Sequence, residues 1–220
     1  MTTQEKGTDQ PTRRAHWERF YATHLEQELS WFESVPVLSL ELIRNSTRTK
    51  GDSIVDVGGG SSRLVDCLIA GGYSSVAVLD VSPRGLAMAQ ERMGTDAGKV
   101  CWIESDVLAW HCTSPVDLWH DRAAYHFFTD EKDRAAYAGI ATSAVLPGGT
   151  LIVATFAMDG PRSCSGLPAY RASAEMIAAD FALAFELIES RIHDHVTPRG
   201  TVQRFQIARL RRKQISKSHA

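Results

Sequence analysis

Residues 53–62, SIVDVGGGSS, place a carboxylate, Asp56, near the end of a short apolar run and follow it with three consecutive glycines, Gly58, Gly59 and Gly60. Three adjacent glycines carry a conformational-entropy cost. A chain keeps them where the backbone must take unusual dihedrals or let another molecule approach closely. Twenty residues beyond Gly60 a second carboxylate, Asp80, ends the next apolar run, VAVLDVS. An acid at that place can accept from both hydroxyls of a ribose, and its charge suits a ligand without a 2′-phosphate. The chemistry on offer is the holding of a nucleoside-bearing cofactor. Nicotinamide dinucleotides and S-adenosyl-L-methionine both use such a turn, so the glycines alone leave the two open.

The elements that must position these groups alternate along the chain. Short apolar runs at Ser53–Val57, Val76–Asp80, Val100–Glu104, Val116–His120 and Thr150–Phe156 read as strands. Helix-like spacing fills Ser61–Ala70, Pro83–Met93 and Asp130–Val145, with another helix near Ala172–Phe181. LPGGT, residues 146–150, reads as a helix stop and tight turn. Such alternation predicts a parallel sheet with helices on both faces. The end of the chain differs, because AFELIESRIHDHV and TVQRFQIARLRR flank TPRG and read as a hairpin. Its last strand must run antiparallel to its neighbour. Ahead of the first strand, RRAHWERFYATHLEQELSWFE and VPVLSLELIRNS are helical in pattern.

The expected fold is therefore α/β: a doubly wound, mostly parallel, seven-stranded sheet with a terminal antiparallel strand, plus N-terminal helices. At 220 residues the chain is read as a disordered tail over 1–12, one domain over 13–212 with a helical lid over 13–46, and a disordered basic tail over 213–220. A net charge of −2 argues against general nucleic-acid binding. The polar start lacks the apolar core of a secretory signal, and no run is long enough to span a bilayer, so the chain is read as cytoplasmic with no membrane partner. Cys67, Cys101, Cys112 and Cys164 lack CxxC spacing, so neither a disulfide framework nor a metal site is expected.

An order of glycine turn, acid after the second strand and acid after the third, closed by an antiparallel hairpin, resembles the class I S-adenosylmethionine-dependent methyltransferases, whose sheet is Rossmann-like. The dinucleotide form would put its third glycine at Arg63, a bulky residue where close helix–strand packing is needed. On the resemblance, Gly58 and Gly60 match the family's glycines with Gly59 between them, and Ser62 replaces a frequent third one. Asp56 is implied as the ligand of the methionyl ammonium and Asp80, with Val81 beside it, as the ribose acid. Asp106 in WIESDVLAW is implied as the adenine-binding acid, with Val107 alongside. The lid of some members implies that Tyr21 and Trp31 cover the methionine end, while Trp17 and Phe20 are read as packing residues.

The fourth strand ends in VDLWHDRAAYHFFTD, without the Asn/Asp-Pro-Pro of many amino-methylating enzymes. Asp121-Arg122 followed by a small residue resembles the DRG of thiopurine and related small-thiol S-methyltransferases. A larger bacterial group with DRAAYHFFTD and a later CSGLP is also similar. A thiol of pKa about 8.5 is partly ionised near neutrality, and a guanidinium beside it raises the thiolate fraction. Arg122 is the candidate for that role and Asp121 for orienting Arg122 or the cofactor. His126 is a further proton-handling candidate. The long loop TFAMDGPRSCSGLPAY offers Asp159, Cys164, Ser165 and Leu167 to the acceptor. His193 and His195 fall on one face of a strand near the same end. Two histidines do not make a metal site, although His120, Asp121 or Cys164 could converge on them.

The expected activity is methyl transfer from S-adenosyl-L-methionine to a small molecule, preferably a thiol or sulfide. The alternatives are a protein lysine N-methyltransferase and an O- or N-methyltransferase of a small metabolite. The sequence leaves the oligomeric state open.

Overall fold

The structure, a computed structural model, describes residues 12–214. The rest of both expected disordered tails, residues 1–11 and 215–220, lies outside the described residues. Helix α1, Arg13–Thr23, begins where the Thr12 hydroxyl accepts from the Ala15 amide. Helix α2 spans Val37–Arg44. The helical pattern read on to Glu33 breaks at His24, whose backbone is extended, and only a single 3₁₀ turn, Glu26–Glu28, follows. Residues 24–36 thus form a strap. Its aromatic spacing serves the side chains it turns inward, not a continued helix.

Strand β1, Ile54–Val57, is buried at every position, as expected of a parallel strand covered on both faces. It leads through the glycine turn to α3, Leu64–Ala70, and then to β2, Val76–Asp80. Helix α4, Pro83–Met93, starts with Pro83 in its first turn and the Ser82 hydroxyl accepting from Gly85 N–H. Strand β3 is Val100–Glu104 and β4 is Val116–Arg122. Helix α5, Glu131–Ala144, runs directly into β5, Val145–Phe156. The residues LPGGT therefore lie within the strand as an irregularity. Val145 pairs with Val116 while Thr150 pairs with Leu118, and the intervening residues loop out with Gly148 at φ +80°. Two two-residue strands, β6 (Ser163–Cys164) and β7 (Leu167–Pro168), close a small hairpin in the long loop. Helix α6, Ala174–Asp180, is followed by β8, Phe185–Val196, and β9, Val202–Arg212.

The sheet order is β3-β2-β1-β4-β5-β9-β8. The first five strands in that order are parallel, and β9 is antiparallel to both β5 and β8. Two apolar layers flank the sheet. One gathers Trp119, Tyr137, Ala141, Ile177 and Phe181 beneath α5 and α6. The other gathers Leu42, Leu64, Leu68, Leu86 and Ile152 beneath α2, α3 and α4. Each such aliphatic or aromatic side chain, taken fully out of water, contributes about 1.5–3 kcal/mol. The order reverses between β1 and β4, so the ends of these two strands open a crevice, where an open α/β sheet binds its ligand. Strand β4 runs two residues beyond the apolar core of its sequence and carries Asp121 and Arg122 to that crevice. No described helix is long and apolar enough to cross a membrane.

Candidate active site

A cleft, part of it open to solvent, lies at the carboxyl ends of β1, β2 and β4, roofed by α1 and the strap. Its walls include Gly58, Asp80, Val81, Asp106 and Val107 on one side. Tyr21, Trp31, Arg122 and Cys164 stand on the other. The strands bring together these nine residues singled out in the sequence. Trp17, read as packing, is also on the wall, as are Arg13, Phe127 and Phe128. Trp17 still packs, edge-on to Trp31 and Phe127 at 5.9 and 5.1 Å between ring centres.

The glycine turn is shaped by close approach. Gly58 and Gly60 have φ of +68° and +42°. A β-carbon on Gly60 would collide with the Tyr21 hydroxyl and meet Asp80 Oδ2 at 3.0 Å. Asp80 is buried, with Oδ1 accepting from Ser82 N–H at 2.8 Å. Burial, aided by the nearby Asp56 charge, pushes its carboxyl up to about 7. Asp106 accepts from Leu108 N–H through Oδ1 and pairs through Oδ2 with Arg13 at 3.0 Å. Arg13 also reaches Asp133 at 2.5 Å and lies over the Phe128 ring. Thus the first turn of α1 is tied across the mouth of the cleft by charge.

Asp56 is not on the open wall. Its Oδ1 stands 2.7 Å from His120 Nδ1, and His120 Nε2 stands 2.9 Å from Ser39 Oγ, all three buried. His120 is thereby committed to Asp56 and to Ser39 on α2, although it lines a small cavity together with Arg122 and His193. Among the described residues no group of three metal-ligating side chains gathers. Arg63 turns outward to Glu26 at 2.7 Å, and Arg92 fastens the Ser61 and Ser62 carbonyls at 2.9 and 3.0 Å.

Asp121 does not orient Arg122. Its Oδ1 accepts from Ala124 and Tyr125 N–H at 2.9 and 3.1 Å, and its Oδ2 accepts from the Tyr137 hydroxyl. The reason is the turn that follows: Ala123 sits at φ +73°, and the amides just beyond it converge on the carboxylate. Burial raises Asp121 to about 6. Arg122 is held instead from the strap. Its Nη1 donates to the Trp31 carbonyl at 2.9 Å, and Glu33 Oε1 lies 3.5 Å from Nη2. Glu33, unmarked by the sequence reading, sits two residues from Trp31 in SWFE and is also 3.4 Å from His195 Nδ1.

His126 is buried with both ring nitrogens unpartnered, between Phe127 and Phe156. Burial, with Arg122 nearby, drives it down to about 3, so it is neutral and a weak base. Burial pushes the Cys164 thiol up, which keeps it protonated on the cleft wall. Leu167 is half-buried in β7, Asp159 is exposed, and Ser165 lies on a separate surface groove beside Phe20 and His24. His195 is buried, donating from Nε2 to the Ser30 carbonyl at 2.8 Å. His193 shares its face of β8 and lines an open groove and a small cavity behind Arg122.

The donor set suits S-adenosylmethionine. A buried carboxylate at the end of β2 and a half-buried one after β3 can accept from ribose hydroxyls and an exocyclic amine. Leu79, Val81 and Val107 offer apolar surface between them. No third glycine stands at the start of α3: its N-cap is Arg63, whose guanidinium is paired with Glu26.

Residues 54–149 match the family model described as a methyltransferase domain. No curated protein matches the chain. Among solved structures the chain is similar to an S-adenosylmethionine-dependent methyltransferase of Methanosarcina mazei, at 16% identity and TM-score 0.69, over 84% of this chain and 100% of that one. It is similar to the N-methyltransferase NodS of Bradyrhizobium japonicum in complex with S-adenosyl-L-homocysteine, at 16% identity and TM-score 0.68, over 89% and 97%. A third likeness, at 21% identity and TM-score 0.64 over 82% and 83%, is to a structure from work on the conversion of a disulfide bond into a thioacetal group during echinomycin biosynthesis. At these identities the likeness is one of fold. The matched domain runs from β1 into β5 and so contains the glycine turn, Asp80, Asp106 and Arg122. Residues 54–149 thus match a methyltransferase domain, and they carry a cleft whose carboxylates suit S-adenosylmethionine.

Proposed function

We propose that the chain methylates the sulfur of a small thiol or sulfide. The observation that carries this reading is Arg122, a guanidinium on the cleft wall at the end of β4, beside Cys164 and beneath Trp31. When bound, S-adenosylmethionine supplies an electrophilic methyl on a sulfonium, a leaving group that needs no acid. What the chain must add is alignment, a dry surround and, for a thiol, loss of its proton. Trp17, Tyr21, Trp31 and Phe127 exclude water from the acceptor side. Arg122 favours the thiolate over the thiol through its charge. A strong base is then unnecessary, in keeping with a His126 that is too weak and a Cys164 that stays protonated.

Tyr21, Trp31, Asp56, Gly58, Gly59, Gly60, Asp80, Val81, Asp106 and Val107 are proposed to hold the cofactor, Asp56 through the glycine turn it backs. Cys164 is proposed to touch the acceptor, with Leu167, His193 and His195 behind it. The roof of α1 and strap supports a small acceptor over a protein side chain, since a polypeptide would have to pass beneath Trp17 and Trp31. Of the similar structures, the echinomycin-related one is named for chemistry at sulfur, whereas NodS is named for N-methylation. The test is S-adenosylhomocysteine release by the full chain against sulfide, alkyl and aryl thiols, phenols, amines and a heat-treated protein extract. Turnover confined to thiols or sulfide is expected. Turnover with the extract alone would sink the small-molecule reading, and turnover with amines or phenols alone would sink sulfur.

A further inference from the structure

Arg122 Nη2 is a buried donor without a hydrogen-bond partner among the described residues. Its nearest carboxylate oxygen, Glu33 Oε1, is 3.5 Å away and also faces His195 Nδ1 at 3.4 Å. The Ser30 carbonyl can only accept, so the 2.8 Å contact with His195 Nε2 puts a proton on that nitrogen. A neutral His195 would then turn a bare lone pair on Nδ1 toward a carboxylate, and the two would repel. A second ring proton removes the conflict.

We propose that Arg122, Glu33 and His195 form a buried cluster of two cations against one carboxylate, and that this cluster takes the methyl acceptor as an anion on Arg122 Nη2. The proposal rests on the methyltransferase reading above and narrows the acceptor to a group that is ionised when bound, such as a thiolate.

Each wall of the cluster bears on that charge. From β4 comes Arg122, which Asp56 on β1 and Cys164 in the long loop also face, and from the strap come Glu33 and the Ser30 and Trp31 carbonyls. From β9 comes Phe205, edge-on to His195 and beneath the Arg122 guanidinium. On β8, His193 is the remaining titratable neighbour on the same face, and burial lowers it toward neutrality. Asp194 points the other way, to Arg204 at 3.7 Å. Burial works against the Glu33 charge. The hydrogen bond from His195 and the charge of Arg122 outweigh burial and hold its carboxyl below the usual range. Glu33 and His195 are thus positioning residues that act through Arg122.

Two measurements on the full chain test this. Nitrogen-15 NMR of the histidine rings, with His195 assigned through bonds, is expected to show both ring nitrogens protonated near neutral pH. The second ring proton should be lost in Glu33→Gln. In parallel, with S-adenosylhomocysteine present, dissociation constants are measured for benzoate and for its neutral isostere benzamide. The wild type should prefer the anion by about tenfold or more, the worth of one charge-assisted contact. That preference should shrink severalfold in His195→Gln. A singly protonated wild-type ring, or equal affinity for the two probes, overturns the proposal. A doubly protonated ring with intact anion preference but no thiol turnover supports the cluster and counts against sulfur alone. Should His195→Gln not fold, the wild-type ring and probe ratio still decide.

Discussion

The hydroxyl of Tyr21, on helix α1, occupies the space that a β-carbon on Gly60 would need. Helix α1 and the glycine turn are therefore fitted to one another before any ligand is considered. Gly60→Ala meets both that clash and a φ of +42°, the backbone term alone costing about 1–2 kcal/mol. The expected result is a lower melting temperature and weaker S-adenosylhomocysteine binding by calorimetry. Adding Tyr21→Phe removes the colliding oxygen, so the double variant should recover part of the stability. Strict additivity of the two single effects would show that the contact is not what excludes a side chain at position 60.

Asp80 makes stability and cofactor binding respond to pH in opposite senses. Its carboxyl sits at about 7 when folded against 3.8 as the reference value, so the folded chain holds more protons between these limits. Stability of the cofactor-free protein therefore falls as pH rises from about 4 to about 7, at up to roughly 1.4 kcal/mol per unit. Cofactor hydroxyls need the ionised carboxylate, so affinity should rise over the upper part of the same window. Asp80→Asn keeps an oxygen for Ser82 N–H and cannot ionise. Its melting temperature should exceed that of the wild type at mildly alkaline pH, while S-adenosylmethionine affinity drops at least tenfold. A wild-type melting temperature independent of pH over that range would contradict this.

Arg122→Ala should lower kcat/KM for a thiol roughly ten- to hundredfold near neutral pH, the equivalent of 1–2 pKa units of lost thiolate stabilisation. Part of the loss should return at higher pH, where the thiol ionises unaided. A loss that is constant with pH would assign Arg122 to fastening the strap through the Trp31 carbonyl instead.

Ala123 follows Arg122 at φ +73°, a region that costs an alanine about 1 kcal/mol relative to glycine. Ala123→Gly should therefore stabilise the protein by up to that amount in denaturant titration, without changing the pH profile of turnover. A loss of stability would mean that the alanine methyl packs more strongly than its backbone strains.

His126 is neutral and buried with no hydrogen-bond partner. Replacing such a group by an apolar one of similar shape spares its desolvation cost, about 1–3 kcal/mol. His126→Leu should leave the pH–rate profile in place and leave stability equal or greater. Disappearance of an ionisation from that profile would restore His126 as a proton carrier.

The residues that repeat with a period, or that no other residue type can replace, were legible from sequence. Alternating runs located β1 to β5, the TPRG turn located the final antiparallel strand, and the run of glycines marked the turn after β1. Asp80 and Asp106 were legible because one ends its strand and the other comes two residues after its strand, so local order fixes their place in the crevice. What sequence left undecided depends on partners distant along the chain. Asp121 and Arg122 are adjacent, yet successive residues of a strand face opposite sides of the sheet. Asp121 therefore turns to Tyr137 and the turn amides, whereas Arg122 turns to Glu33 and the strap. His120, a free histidine in the sequence, is claimed by Asp56 and Ser39, and Glu33 carries no local signal at all. Ion-pair and hydrogen-bond partners are chosen by which surfaces the fold brings within about 3 Å, and no spacing along the chain encodes that choice.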